Sequence, residues 1–159
     1  MKAAIVIPAR LGSTRLPRKL LLPLSGKPLI VHTCARAAGA RRAARLVVAT
    51  DSPDIASAVR AAGFEAAMTR ADHPSGTDRI AEAAAAIDAD IFVNVQGDEP
   101  EIDPKSIDAL IEAQMRVGGF ASTLVCLFPK GADPADPARV KVALGERLAE
   151  ATYRAVYFS

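Results

Sequence analysis

No aspartate or glutamate occurs in the first 50 residues of this chain, a stretch that holds ten of its 20 lysines and arginines. The formal net charge of +2 conceals that division, because the other ten bases lie among all 18 acids. A one-sided block of positive charge points to an anionic ligand near the N-terminal segment. Arg36, Arg41, Arg42 and Arg45 suit a solvated face, whereas Arg10, Arg15, Arg18 and Lys19 crowd into one loop. Tryptophan is absent and aromatic residues make up only 4% of the chain. The basic cluster therefore lacks interleaved stacking residues, which argues against a nucleic-acid surface. Two cysteines cannot build a disulfide framework, and no Cys/His spacing matches a zinc site. Cys34 falls in a helical pattern and Cys126 in a strand pattern, and both read as small core residues. No apolar run approaches the roughly 20 residues of a membrane-spanning helix. The opening run is too short for a signal-peptide core and is interrupted by Pro8 and Arg10. The expectation is a cytoplasmic protein with no membrane partner.

What is present suits one soluble domain over residues 1–159, with half of the residues apolar and a quarter charged. Strand and helix patterns alternate. Residues 3–8 form a short Ile/Val-rich run bounded by proline, the mark of a buried strand. Residues 27–38 have helical character, with Leu29, Ile30, Thr33 and Ala37 available for one face. A second strand follows at 46–50. Ser52-Pro53-Asp54 then supplies an N-cap, a first-turn proline and a helix-start acid, and Gly63 stops that helix. Further strands are predicted at 64–69, 90–95 and 121–128, and further helices at 77–87 and from Asp103-Pro104 to Gly118-Gly119. Val140, Val142 and Leu144 alternate, as do Val156 and Phe158, which predicts strands near a sheet edge at the C-terminal end. Residues 129–137 are linker-like but too short to separate domains. The pattern predicts an α/β fold with a mostly parallel sheet and helices on both faces. Ligands in such sheets bind beyond the carboxyl ends of the strands.

Three loops at those ends carry candidate chemistry. The first is Pro8-Ala9-Arg10-Leu11-Gly12-Ser13-Thr14-Arg15-Leu16-Pro17-Arg18-Lys19. It offers small residues for close backbone approach, two hydroxyls and four fixed positive charges, the requirements of a polyphosphate. It matches neither dinucleotide nor P-loop spacing, and a solvated turn is the competing reading. The second is Asn94-Val95-Gln96-Gly97-Asp98-Glu99-Pro100. Asp98 follows a strong central strand, where Mg²⁺ and phosphates meet, and Glu99 turns the other way. An acid that caps a turn is the competing reading, since one carboxylate needs phosphates and a second acid to complete a Mg²⁺ site. The third runs from Thr69 through Arg70, Ala71, Asp72, His73, Pro74, Ser75, Gly76, Thr77 and Asp78 to Arg79. His73 has no evident partner in sequence. Ser75, Gly76 and Thr77 suit a base or ribose at a helix start. Arg79 either points back toward a pocket or pairs with Glu82 on the same helix face.

In order along the chain, the first loop with Arg15-Leu16-Pro17 and Lys19, then Gly26-Lys27-Pro28-Leu29-Ile30, Val48-Ala49-Thr50-Asp51, the His73 loop and the Asp98 loop resemble the 3-deoxy-manno-octulosonate (Kdo) cytidylyltransferases, or CMP-Kdo synthetases. The first loop is shared with other sugar nucleotidyltransferases, whereas the second and third together are more specific. The resemblance implies a nucleotide-diphospho-sugar transferase, Rossmann-like fold and the transfer of CMP from CTP to Kdo for lipopolysaccharide biosynthesis. It assigns Arg10, Lys19 and Asp98 to catalysis, with Asp98 as ligand of Mg²⁺. Residues 8–15 and Lys19 would hold CTP together with Arg70, Ala71, Asp72, Ser75, Gly76, Thr77, Arg79, Gln96 and Gly97. It also implies a homodimer. A CMP-sialic acid or other sugar nucleotidyltransferase is the nearest enzyme alternative, and a truncated non-catalytic nucleotide-binding module is the alternative of another class. Three departures stand out. Arg18 replaces the usual Gly and is expected to face solvent, and Leu20 replaces the usual Pro. Residues 144–154 are longer and less turn-like than the family's hairpin. Members of the family continue beyond the position of Ser159, so the resemblance places much of the Kdo pocket, a further metal-binding Asp and most of the dimer contact outside this chain.

Overall fold

The computed structural model describes residues 1–12 and 16–159. The chain divides into two compact units, Met1–Ile111 and Glu112–Ser159. In the first, β1 (Ala3–Ala9) is followed by a 3-10 turn (Lys19–Leu21) and a small antiparallel ribbon of β2 (Pro23–Leu24) and β3 (Lys27–Pro28). Then come α1 (Leu29–Ala37), β4 (Ala43–Thr50), α2 (Pro53–Ala61), β5 (Glu65–Met68), α3 (Gly76–Ala84), β6 (Ile91–Asn94) and the start of α4 (Pro104–Val117). The four long strands form a parallel sheet in the order β5-β4-β1-β6. This is the predicted α/β architecture.

The period of two in β1 sorts its side chains between two apolar layers. Ala3, Ile5, Ile7 and Ala9 pack with Ile30, Cys34 and Ala37 of α1, Ile55 and Val59 of α2, and Ile107 and Ile111 of α4. Ala4 and Val6 pack on the opposite face with Ile80 and Ala83 of α3. A strand covered on both sides needs no polar alternation, hence the uninterrupted apolar run of a parallel sheet. Each large side chain buried here contributes about 1.5–3 kcal/mol. Cys34 is fully buried, and desolvation pushes its thiol up to about 12. It is the core residue its pattern predicts.

Local chemistry places the helix starts. Ser52 accepts from the Ile55 N–H at 3.3 Å, with Pro53 at the first helical position. Ser75 caps α3 by accepting from Asp78 N–H at 3.2 Å. Lys27 and Pro28 belong to the ribbon, so α1 begins two residues later than the sequence pattern predicts. The amino-terminal edge of the sheet is held by polar contacts. Lys2 N–H donates to the Asp90 carboxylate at 2.7 Å, and Asp90 and Ile91 N–H groups donate to the Lys2 carbonyl at 2.8 and 3.1 Å.

In the second unit, β7 (Val142–Ala149) and β8 (Thr152–Phe158) form an antiparallel hairpin with bulges and a two-residue turn, Ala151 having φ 49°. The C-terminal strands thus make a two-stranded sheet of their own, and residues 144–154 lie within that bulged hairpin. The strand predicted at 121–128 is not formed. Its apolar composition suits a strand, but a strand exists only through ladder partners, and this segment pairs with none of the sheets. Cys126 lies in that stretch and is exposed, so the core role predicted for it does not hold. Among the described residues no helix is long and apolar enough to cross a membrane.

Candidate active site

The loops after β1, β5 and β6 converge beyond the carboxyl ends of the sheet on a cavity of about 470 Å³. The first loop contributes Pro8, Ala9, Arg10, Gly12 and Lys19, together with Leu16 and Leu20. The loop after β5 and the start of α3 add His73, Ser75, Gly76 and Arg79, and the loop after β6 adds Gln96, Gly97 and Asp98. Gly76 brings two of these loops together, since a Cβ there would lie 3.3 Å from the Pro8 ring. The wall thus mixes fixed cations, the N-terminus of α3 and one carboxylate. That composition suits a phosphorylated ligand.

Lys19 and Asp98, 79 residues apart in sequence, are directly paired: the ammonium donates to the carboxylate at 2.6 Å. This hydrogen bond holds the Asp98 carboxyl below its ordinary value. Among the described residues no group of three or more His, Cys, Asp or Glu side chains is placed to hold a metal ion. Asp98 is the one carboxylate among the described residues of the cavity wall, so a divalent cation held there would need phosphate oxygens and water as its other ligands.

The sequence pattern of the cytidylyltransferase family matches residues 4–158. The chain belongs to that family. It is 44% identical over 158 residues to the 3-deoxy-manno-octulosonate cytidylyltransferase of Escherichia coli, covering 99% of this chain and 62% of that protein. It is 47% identical over 163 residues to the enzyme of the same name from Chlorobaculum tepidum, covering 100% of this chain and 64% of that protein. The solved structure of CMP:2-keto-3-deoxy-manno-octonic acid synthetase complexed with CTP superposes with a TM-score of 0.82 and 39% identity. That match covers 100% of this chain and 64% of the other. The chain therefore spans less than two thirds of the length of these relatives. The resemblance carried by the loop motifs is borne out, as is the fold it implies.

Several candidate site residues stand elsewhere. Leu11 packs against the larger core layer. Arg70, Ala71, Asp72 and Thr77 do not line the main cavity. The Arg70 guanidinium pairs with Asp72 at 3.1 Å, and Arg70 borders a second hollow of about 390 Å³ that shares His73 with the first. Ser13, Thr14 and Arg15 lie outside the described residues. Arg18 has φ 55° at the start of the 3-10 turn, in the left-handed region that favours the family's glycine. Its guanidinium bonds to Asp54 at 2.9 Å, so the side chain meets a partner rather than solvent alone.

Of the two roles open to Arg79, the structure takes the inward one. Arg79 is 3% exposed and donates to Thr69 Oγ1 at 2.5 Å and to the Arg70 carbonyl at 3.2 Å. Its other terminal nitrogen lies 3.4 Å from the Asp51 carboxylate. Glu82 is engaged instead by His73, giving that histidine the partner not evident in sequence. The sequence motifs also leave out Thr33. This buried residue of α1 donates its hydroxyl to the Gly97 carbonyl at 2.9 Å, fixing the loop that carries Asp98. A threonine among apolar positions on a helix face is the available signal. Gly97 itself is confined, since a Cβ there would lie 3.1 Å from Ile30 and 3.3 Å from Leu20.

Proposed function

We propose that this chain holds CTP in the cavity at the carboxyl ends of its sheet and serves the activation of Kdo to CMP-Kdo. The convergence of Arg10, Lys19 and Asp98 on one cavity, beside the α3 N-terminus, carries the reading. The similarity to Kdo cytidylyltransferases and to a CTP complex of a CMP-Kdo synthetase supports the substrate pair. In the reaction, the oxygen of the sugar's anomeric hydroxyl bonds to the α-phosphorus and gives up its proton to water, as the bond to the bridging oxygen breaks and pyrophosphate leaves. No protein nucleophile is required, and catalysis consists of alignment and charge neutralisation.

In this reading Arg10 and Lys19 neutralise the phosphates, with Lys19 leaving Asp98 for the outer oxygens. Gln96, Gly97, Ser75, Gly76 and Arg79 surround the cytidine, and Arg70, Ala71, Asp72 and Thr77 shape that loop from outside the cavity. Residues 11–15 complete the phosphate side. Asp98 supplies the protein oxygen for Mg²⁺, which when bound offsets triphosphate charge. A homodimer is the assembly this reading implies, and the pathway served is cytoplasmic lipopolysaccharide biosynthesis. CTP titration with and without Mg²⁺, followed by a pyrophosphate-release assay with Kdo, tests the proposal. Tighter CTP than UTP binding, enhanced by Mg²⁺, is the expected result. Failure to bind CTP removes the reading, and release with a sialic acid but not Kdo reassigns the acceptor.

A further inference from the structure

Glu82 lies outside every motif that pointed to the site, yet it bonds the loop that follows β5 at two points. Glu82 and Arg79 stand three apart on α3, on one face of the helix. Both reach the segment that follows β5. The Glu82 carboxylate accepts the Arg70 N–H at 3.1 Å and bonds His73 Nε2 through the same oxygen. Arg79 takes the carbonyl of that same residue, Arg70, and the hydroxyl of Thr69. The two side chains thus grip Arg70 by its amide and its carbonyl. The Thr69 N–H is anchored separately, donating to the Thr50 carbonyl at 2.9 Å.

Only Arg79 is buried deeply enough for its loss to threaten the fold. Glu82 is exposed on α3, so its two bonds to the loop are dispensable for the core. The ladder between β4 and β5 ends at Met68, and the Thr69 N–H bond to the Thr50 carbonyl is the last tie of this segment to the sheet. The His73 side chain is 7% exposed and lies in the wall of the main cavity, so the carboxylate that fixes this ring fixes part of the wall. Both bonds place their donors against a carboxylate held below its ordinary value, chiefly by His73. We infer that Glu82 is a positioning residue: with Arg79 it clamps the loop from Arg70 to His73 in the shape that receives the nucleoside. The inference rests on the nucleotide reading of the cavity given above.

The test compares the wild-type chain with Glu82→Ala and Glu82→Gln, by amide hydrogen exchange at Arg70–His73 without nucleotide and by titration with CTP and with CMP. Glu82→Ala should leave the unfolding midpoint nearly unchanged while loop exchange accelerates. Loss of a hydrogen bond to a charged group should weaken CTP and CMP equally, each by about tenfold. Gln keeps an acceptor for Arg70 and should restore most of both effects. Unchanged exchange in Glu82→Ala, or a loss confined to CTP, overturns the clamp. If the wild-type chain binds neither nucleotide, the nucleotide reading itself falls, and the exchange data alone then decide whether the clamp stands.

Discussion

Replacing Lys19 with alanine should move two affinities in opposite directions. In the free protein the Lys19 ammonium occupies Asp98 at 2.6 Å, where a divalent cation would sit. Bare Coulomb attraction at that distance is about 1.6 kcal/mol in water. The two side chains are 39% and 44% exposed, so the pair's net worth falls to that of a surface ion pair, about 0.5–1 kcal/mol. Without nucleotide, Lys19→Ala should therefore tighten divalent binding at Asp98 by about two- to fivefold. With nucleotide the balance reverses. Losing a charge-assisted contact to the outer phosphates removes about 1.5–3 kcal/mol, which weakens CTP at least tenfold and leaves CMP nearly unaffected. Mn²⁺ as a paramagnetic probe reads the first effect, and calorimetric titration of CTP and CMP reads the second. Divalent affinity that falls or stays constant in the variant would refute competition at Asp98. Equal losses for CTP and CMP would remove Lys19 from the outer phosphates.

Asp98→Asn should abolish most of the Mg²⁺ dependence of CTP binding while keeping the fold, because Asn retains the shape and an oxygen but not the charge. Superimposable Mg²⁺ series for the two proteins would return Asp98 to a turn-capping role. Thr33→Val deprives the Gly97 carbonyl of its buried donor and should cost about 1–3 kcal/mol in denaturant unfolding, with weaker CTP binding. Stability and affinity both at wild-type level would separate Thr33 from the Asp98 loop. Arg18→Ala and Arg18→Gly both lose the Asp54 partner, but only alanine is strained by the left-handed backbone, so Arg18→Ala should be the less stable by about 1 kcal/mol. The reverse order in thermal unfolding would contradict that strain. Finally, Glu65 and Asp98 bind protons more weakly in the folded chain, Glu65 starting from an ordinary value of 4.5. The stability they contribute is complete above about pH 4.5 and is lost as pH falls further, a decline that high salt should reduce. A denaturant midpoint that rises on acidification below that point would reverse the sign.

The parts of the fold written in local chemistry are legible in the sequence. Ser52-Pro53-Asp54 marks the start of α2 because cap, proline and acid all act within one turn. The apolar run of β1 marks a strand covered twice. Asp98 and Lys19 are identifiable one at a time, as an acid after a strand and a base in a cationic loop. Their pairing is not, since it depends on how loops 79 residues apart are brought together. The same holds for His73 and Glu82, and for the Thr33 bond to Gly97 across 64 residues. Residues 121–128 show the converse. Their composition favours a strand, and no local signal tells whether a ladder partner is available.

Lys2 and Asp90 lie at the opposite end of the sheet from the cavity, yet they set its dimensions. In a half-exposed strand, hydrophobic alternation punishes a one-residue slip by turning apolar groups to water. β1 has no such guard, because residues 3–7 are all apolar and buried whichever way they face. Its phase against β6, with Ala3 opposite Ile91 and Val6 opposite Asn94, must be kept by end markers. The Lys2 backbone locked to Asp90 and Ile91 is such a marker. Arg10 continues from one of these strands and Asp98 from the other, so each residue of slippage would displace them relative to each other by about 3.3 Å. The spacing of the cation and the carboxylate is thus gauged at the far edge of the domain, and substitutions at Asp90 would reach the site as an error of length.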